Sequence, residues 1–182
     1  TGYQSWFGIP RKSVVSYDNA GAPYGYITAN LEDMIQYIMF LNRPEDAQLL
    51  KQENMHLYLS PLYKINSEKS YGFGLRTTNI NESETMIWHS GSTPDARTEI
   101  FTLNKSGWGG VILTNKNHVL EEIALSVLKK GIISILNGEE PVDIPKKIPL
   151  TQIILLIVTL ILFIISIMLI KKYKHKETVK KL

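Results

Sequence analysis

Trp88-His89-Ser90-Gly91-Ser92-Thr93-Pro94 decides how this chain is read. It follows the strand-like segment Tyr71-Gly72-Phe73-Gly74-Leu75 and precedes the apolar run Gly110-Val111-Ile112-Leu113-Thr114-Asn115. On a strand, successive side chains alternate between faces, so His89 and Ser90 point to opposite sides. Gly91 removes a side chain beside them, and a strand glycine often marks close approach by a ligand or another backbone. The backbone N–H just past it, at Ser92, is placed to act as an oxyanion donor. His89 offers a hydrogen-bond donor or partial positive charge to an anionic group. Taken alone, the same letters also fit a half-buried strand histidine followed by a turn.

Working outward, residues 71–78, 85–90, 97–103 and 109–114 are β-branched or aromatic runs separated by short polar turns. Links at 79–84 and 104–108 are of hairpin length, which predicts an antiparallel sheet. Upstream, Tyr17-Asp18-Asn19-Ala20-Gly21-Ala22-Pro23 reads as a loop and residues 24–29 as a short β-like stretch. Asn30 stands at an N-cap position with Asp33 three residues on, and Leu31, Met34, Ile35, Ile38 and Leu41 follow at helical spacing. A second short helix is expected over 44–54, anchored by Leu49 and Leu50, before Ser60-Pro61 breaks the chain. Residues 119–136 return to helical spacing through Leu120, Ile123, Val127, Leu128, Ile132 and Ile135, and Asn137-Gly138 stops them. The fold class expected is α+β, an antiparallel sheet flanked by helices. Such a sheet is too open to bury both faces, so covering sequence is expected upstream of Thr1, which is not an initiator methionine.

Cysteine is absent, which excludes a disulfide framework, a thiolate nucleophile and any cysteine-based metal site. Residues 1–145 carry 12 Lys and Arg against 16 Asp and Glu, whereas residues 146–182 carry 8 Lys against Glu177 alone. The basic character therefore belongs to a tail, and nucleic-acid binding by the globular part is rejected. Residues 148–170 hold no charge and form no polar stripe, which predicts a transmembrane helix. Six lysines follow it (171, 172, 174, 176, 180 and 181) and two precede it (146 and 147). That bias places the tail at 171–182 in the cytoplasm and residues 1–147 outside. Ile148-Pro149-Leu150-Thr151-Gln152 also resembles a cell-wall sorting signal, but it lacks that signal's leucine and glycine. The expected division is a domain over 1–138, a linker over 139–147, the transmembrane helix over 148–170 and the tail.

Gly25-Tyr26-Ile27-Thr28-Ala29-Asn30-Leu31-Glu32-Asp33-Met34 resembles the segment that opens a helix in serine β-lactamase-like hydrolases, with Ala29 in place of a serine. Tyr71-Gly72-Phe73-Gly74-Leu75, His89-Ser90-Gly91-Ser92-Thr93-Pro94 and Val111-Ile112-Leu113-Thr114-Asn115 match three further blocks in order. Together they resemble the C-terminal portion of the class C β-lactamase and D-alanyl-D-alanine carboxypeptidase family, over about residues 21–135. The resemblance implies a catalytic role for His89, at the basic position holding a substrate carboxylate, and for Ser92, giving its N–H to an oxyanion hole. It assigns Ser90 and Gly91, with His89, to substrate binding. Asp95, where many relatives carry glycine, departs from the pattern.

The family also uses a Ser-x-x-Lys nucleophile and a Tyr-x-Asn. Ser126-Val127-Leu128-Lys129 and Tyr17-Asp18-Asn19 fit those letters but lie at the wrong places in the order, so the working motifs are expected upstream. His56, His118 and His175 show no ligand spacing, and no cofactor or metal is implied. Arg97 and Glu99 read as a solvated pair on one strand face. The expected activity is that of a membrane-anchored serine hydrolase acting through an acyl-serine on a cell-wall peptide, β-lactam or small ester, with this chain inactive alone. The alternatives are a non-catalytic envelope-binding or regulatory module of the same fold, and an unrelated membrane-tethered α+β domain.

Overall fold

The computed structural model describes residues 1–6, 9–16, 19–21, 23–47, 49–117, 122–141 and 150–180. It divides into two units, Thr1–Ile144 and Pro145–Leu182. Within the first, strands β1 (Tyr3–Trp6) and β2 (Ile9–Lys12) pair antiparallel. Helices α1 (Leu31–Asn42), α2 (Pro44–Ala47) and α3 (Gln52–Leu59) follow. Then come β3 (Tyr63–Lys64), β4 (Lys69–Tyr71), β5 (Arg76–Asn79), β6 (Thr85–Thr93), β7 (Ala96–Leu103), β8 (Gly109–Thr114), β9 (Lys116–Asn117) and helix α4 (Glu122–Leu136).

Strands β3 to β8 form one six-stranded sheet in chain order, every neighbour antiparallel, because each connection is too short for a crossover. A smaller sheet runs β2-β1-β9, with β1 and β9 parallel. The large sheet is the middle of three layers. On one face Ile87 and Ile100 pack with Leu75 and with Ile38 and Leu41 of α1. On the other, Met86, Phe101 and Leu103 pack with Ile133 of α4. Strand β7 contributes to both faces, and Phe101 and Leu103 are among the least exposed side chains. Gly109 and Gly110 open β8 because a Cβ at the first would sit 2.4 Å from Ile38 Cγ2, and at the second 2.5 Å from the Phe101 ring. The α+β class and the antiparallel sheet flanked by helices are as the sequence predicts.

Local chemistry explains the helix ends. Asn30 Oδ1 accepts the Asp33 N–H at 2.8 Å, the expected N-cap of α1. At the end of α4, the Gly138 N–H donates to Ile135 O and the Glu139 N–H to Ser134 O, with Gly138 at φ +75°. That is the paired C-terminal motif for which glycine is the preferred residue.

Several expectations are corrected. Tyr71-Gly72-Phe73-Gly74-Leu75 is a hairpin turn, not a strand: Tyr71 pairs with Arg76, the Gly72 N–H donates to Leu75 O at 2.8 Å, and Gly74 lies at φ +71°. Residues 24–29 form no strand, and the helix expected over 44–54 is the separate pair α2 and α3. Leu49 is 70% exposed and anchors nothing; the buried side chain of that region is Met55. On α4 the buried side chains are Leu125, Lys129 and Ile133 at spacing four, and the expected Ile132 packs partly buried against the same core, while Leu128 and Ile135 face solvent. Leu120 lies outside the described residues, as does the Ile123 side chain. The apolar letters turned that face too far towards Leu128 and Ile135 because a buried lysine lies at its centre.

The second unit contains α5 (Leu150–Lys180), with an apolar span over Gln152–Tyr173 of mean hydropathy 3.5 and no burial. This is one helix long and apolar enough to cross a membrane. In the middle of the span Thr159 Oγ1 donates to Leu155 O at 2.8 Å and Ser166 Oγ to Phe163 O at 3.0 Å. Hydroxyls satisfied on their own helix suit apolar surroundings. The helix continues beyond Ile170 into the lysine-rich segment, so the boundary at 170 is one of composition, not of secondary structure.

Candidate active site

Strand β5 is shorter than β6. Its last pair is Arg76 with Trp88, so from His89 to Thr93 the strand is paired to β7 alone among the described residues. An unaccompanied edge presents unpaired N–H and C=O groups, a ready template for an extended ligand. This stretch borders a concavity of about 480 Å³. Its floor is His89 and Gly91 with their cross-strand neighbours Ile100 and Thr98, and residues 23–27 with Met34 of α1 form the facing side. All four residues singled out from the sequence, His89, Ser90, Gly91 and Ser92, line it. Part of the facing wall therefore lies within this chain. Tyr24 and Ile27 there are 81% and 84% exposed, which leaves that side open.

His89 is half-buried, with the Tyr71 ring centroid 6.2 Å away. Burial, then the positive charge of Arg76, pushes its imidazole below the ordinary histidine range, against the opposing pull of Glu99 and the Ser90 backbone. The ring is accordingly neutral at pH 7, where it can donate or accept a hydrogen bond. Arg76 lies between two rings, 5.5 Å from the Tyr71 centroid and 5.4 Å from that of Trp88.

Gly91 is required by its partner strand. A Cβ there would sit 2.5 Å from Thr98 Oγ1. Beyond it, Ser92 and Thr93 are held from the side by Asn117 of β9. The Asn117 Nδ2 donates to Ser92 Oγ at 2.8 Å and to Thr93 O at 2.6 Å. The turn into β7 is closed by Asp95: its Oδ1 accepts from Thr93 Oγ1 at 3.2 Å, and its backbone oxygen accepts the Tyr3 N–H. Gly2 makes room for it, since a Cβ there would overlap the Asp95 side chain.

The reading of Arg97 and Glu99 as a solvated pair is overturned. Glu99 is 2% exposed and Arg97 9%. Glu99 Oε2 meets Lys129 Nζ at 2.7 Å and its Oε1 lies 3.7 Å from Arg97 Nη2. The ammonium also sits 3.7 Å from the Trp88 ring centroid. Strand alternation places this cluster on the α4 face, opposite His89, because Glu99 stands across from Ser90 and Ile100 across from His89. Lys129 of the Ser126-x-x-Lys129 match is thus committed to Glu99, away from the concavity. Tyr17 and Asp18 lie outside the described residues, as does His118; His56 lies near Ser60 on α3. Among the described residues no cluster of side chains suits a metal ion.

Sequence reasoning missed Asn117. It stands two residues past a recognised block, in Thr114-Asn115-Lys116-Asn117, and only the β1–β9 pairing shows what it reaches.

The family model for beta-lactamase matches residues 1–127, which includes every block bordering the concavity. The chain belongs to the beta-lactamase family. No curated protein matches it. Membership gives the matched residues a serine-hydrolase-type fold.

Proposed function

We propose that this chain supplies the substrate-binding wall of a membrane-anchored serine hydrolase that works through an acyl-serine intermediate. The observation that carries the reading is the unaccompanied edge of β6, where His89 and the Gly91–Ser92 backbone border an open concavity. An acyl substrate laid along that edge adds as an extra strand, and its carbonyl oxygen takes the Ser92 N–H. A single oxyanion donor is worth roughly 10²–10³ in kcat. Neutral His89 accepts or donates a hydrogen bond at the substrate's polar end. The substrate classes proposed are D-Ala-D-Ala peptides, β-lactams and small esters.

The nucleophile is proposed to lie in sequence preceding Thr1, within a Ser-x-x-Lys, because the Lys129 of the motif present is committed to Glu99. The apolar span of α5 is proposed to anchor the enzyme, with the catalytic unit outside and the lysine-rich end in the cytoplasm. The division into a domain over 1–138, a linker over 139–147 and an anchor over 148–170 is part of the same proposal.

The test is covalent labelling of the whole reading frame, in membranes, with a fluorescent penicillin and a fluorophosphonate, followed by peptide mapping. Label on a serine upstream of residue 1 supports the reading. Absence of label with both probes, or label on Ser126, refutes it.

A further inference from the structure

We infer that Asn117 is a positioning residue for the acyl-transfer site, holding the Ser92 N–H where an oxyanion forms. The inference rests on the proposed acyl-serine reading and adds to it a residue outside the motif. It starts from a weakness in the strand that carries the site. Between His89 and Thr93, β6 has lost its β5 neighbour, and the last rungs with β7 are Ser92–Arg97 and Thr93–Ala96 before the Pro94-Asp95 turn. A strand end supported on one edge frays unless something else ties it down.

Asn117 is that tie. Its amide nitrogen carries two hydrogens, and two acceptors on consecutive residues of β6 stand within reach, Ser92 Oγ at 2.8 Å and Thr93 O at 2.6 Å. The orientation of the amide is fixed by chemistry, because a backbone carbonyl can only accept, so the atom facing Thr93 O must be the nitrogen. Asn117 is itself held: β9 pairs parallel with β1, placing Gln4 beside Asn117 and Tyr3 beside Lys116. The Tyr3 N–H reaches both Asn115 O, at 2.8 Å, and Asp95 O, at 3.3 Å. Three chain segments thus converge on the end of β6, and Asn117 is the side chain that joins them to residues 92 and 93. Asn117 acts on the reaction through the backbone of β6 and touches no reacting atom in this arrangement.

Two consequences separate this role from plain structural support. Loss of the tie blurs the oxyanion donor, which matters in the transition state, so kcat falls while KM stays nearly constant. The effect also scales with the number of amide-like donors at position 117.

The test uses the whole reading frame in membranes or detergent with a chromogenic ester or β-lactam. For Asn117→Ala and Asn117→Asp, neither of which can donate two hydrogen bonds, kcat is expected to fall about 10- to 100-fold with KM changed less than about threefold. Asn117→Ser, retaining one donor, is expected to recover part of the loss, and Ser92→Ala, which keeps the Thr93 contact, to lose less than Asn117→Ala. Thermal midpoints taken alongside give the folding control; should Asn117→Ala fail to fold, Ser92→Ala and Asn117→Asp carry the comparison. Unchanged kcat in folded Asn117 variants of an active enzyme overturns the inference and leaves the acyl-serine reading standing. A rise in KM at constant kcat also overturns it. Absence of acylation in the unsubstituted protein overturns both.

Discussion

Glu99 is the hub of a buried charge cluster, and substitutions there and at Lys129 should differ in a defined order. Glu99 is 2% exposed and holds Lys129 Nζ at 2.7 Å and Arg97 Nη2 at 3.7 Å. Glu99→Gln keeps the shape but leaves two cations near each other in a layer packed between β7 and α4. Removing one partner of a buried pair typically costs about 3–5 kcal/mol, because the other charge stays desolvated. Lys129→Met removes the closer cation but leaves Arg97 beside the carboxylate, and methionine can still pack on Trp88. Its cost should therefore be smaller, about 1–3 kcal/mol. The assay is chemical denaturation of the whole protein in mild detergent, followed by tryptophan fluorescence, with the slope checked for a shared unfolding transition. If Lys129→Met proves at least as damaging as Glu99→Gln, or if Glu99→Gln costs under about 1 kcal/mol, the cluster is not organised around Glu99 as the geometry indicates.

Other outcomes follow from single sites. His89 sits below the usual histidine value of 6.5, so its neutral form persists below that pH; hydrolysis dependent on it should fall only as pH drops through that lowered value, and a loss on raising pH from 6 to 8 contradicts a neutral role. Gly91→Ala should destabilise by about 1–3 kcal/mol through its clash with Thr98 Oγ1, and Gly91→Ala with Thr98→Ala should recover most of it in the same denaturation assay. Burial raises the Glu84 pKa, but bonds from the Lys105, Ser106 and Thr85 backbone outweigh it and the net value is lowered from 4.5. The stability Glu84 contributes is then present above pH 4.5 and lost as pH falls through the lowered value, so acid denaturation curves of Glu84→Gln and the parent should converge in acid and part near neutrality. A single cysteine at Ser67 should be labelled by a membrane-impermeant maleimide on intact cells and one at Thr178 only after the cells are permeabilised, and the reverse pattern contradicts the proposed orientation.

The sheet was legible because its hairpins are short and their turn chemistry plain: Asn81 and Glu84 close one and Gly107 the next. The Asn30 cap and the Gly138 stop were equally readable, since each depends on its immediate neighbours. What escaped was one local turn and the contacts set by distance in sequence. Tyr71-Gly72-Phe73-Gly74-Leu75 has the composition of a strand, yet Gly74 at positive φ turns it, and no period-two pattern records that. Arg97, Glu99 and Lys129 carry surface letters, and only the 30-residue gap bridged between Glu99 and Lys129 makes them interior. The site followed the same division. His89 to Ser92 are contiguous and were read from four letters, whereas Asn117 reaches them across 25 residues through a sheet whose first strand had no sequence signature.

The most direct measurement is a crystal structure of the whole protein trapped as a β-lactam acyl-enzyme. The predicted result is an ester carbonyl oxygen within hydrogen-bond distance of the Ser92 N–H, with the acyl chain lying along the 89–93 edge of β6 and the imidazole of His89 facing it. An acyl group bound on the α4 face, or one whose carbonyl lies far from Ser92, contradicts the assignment of this strand as the substrate wall.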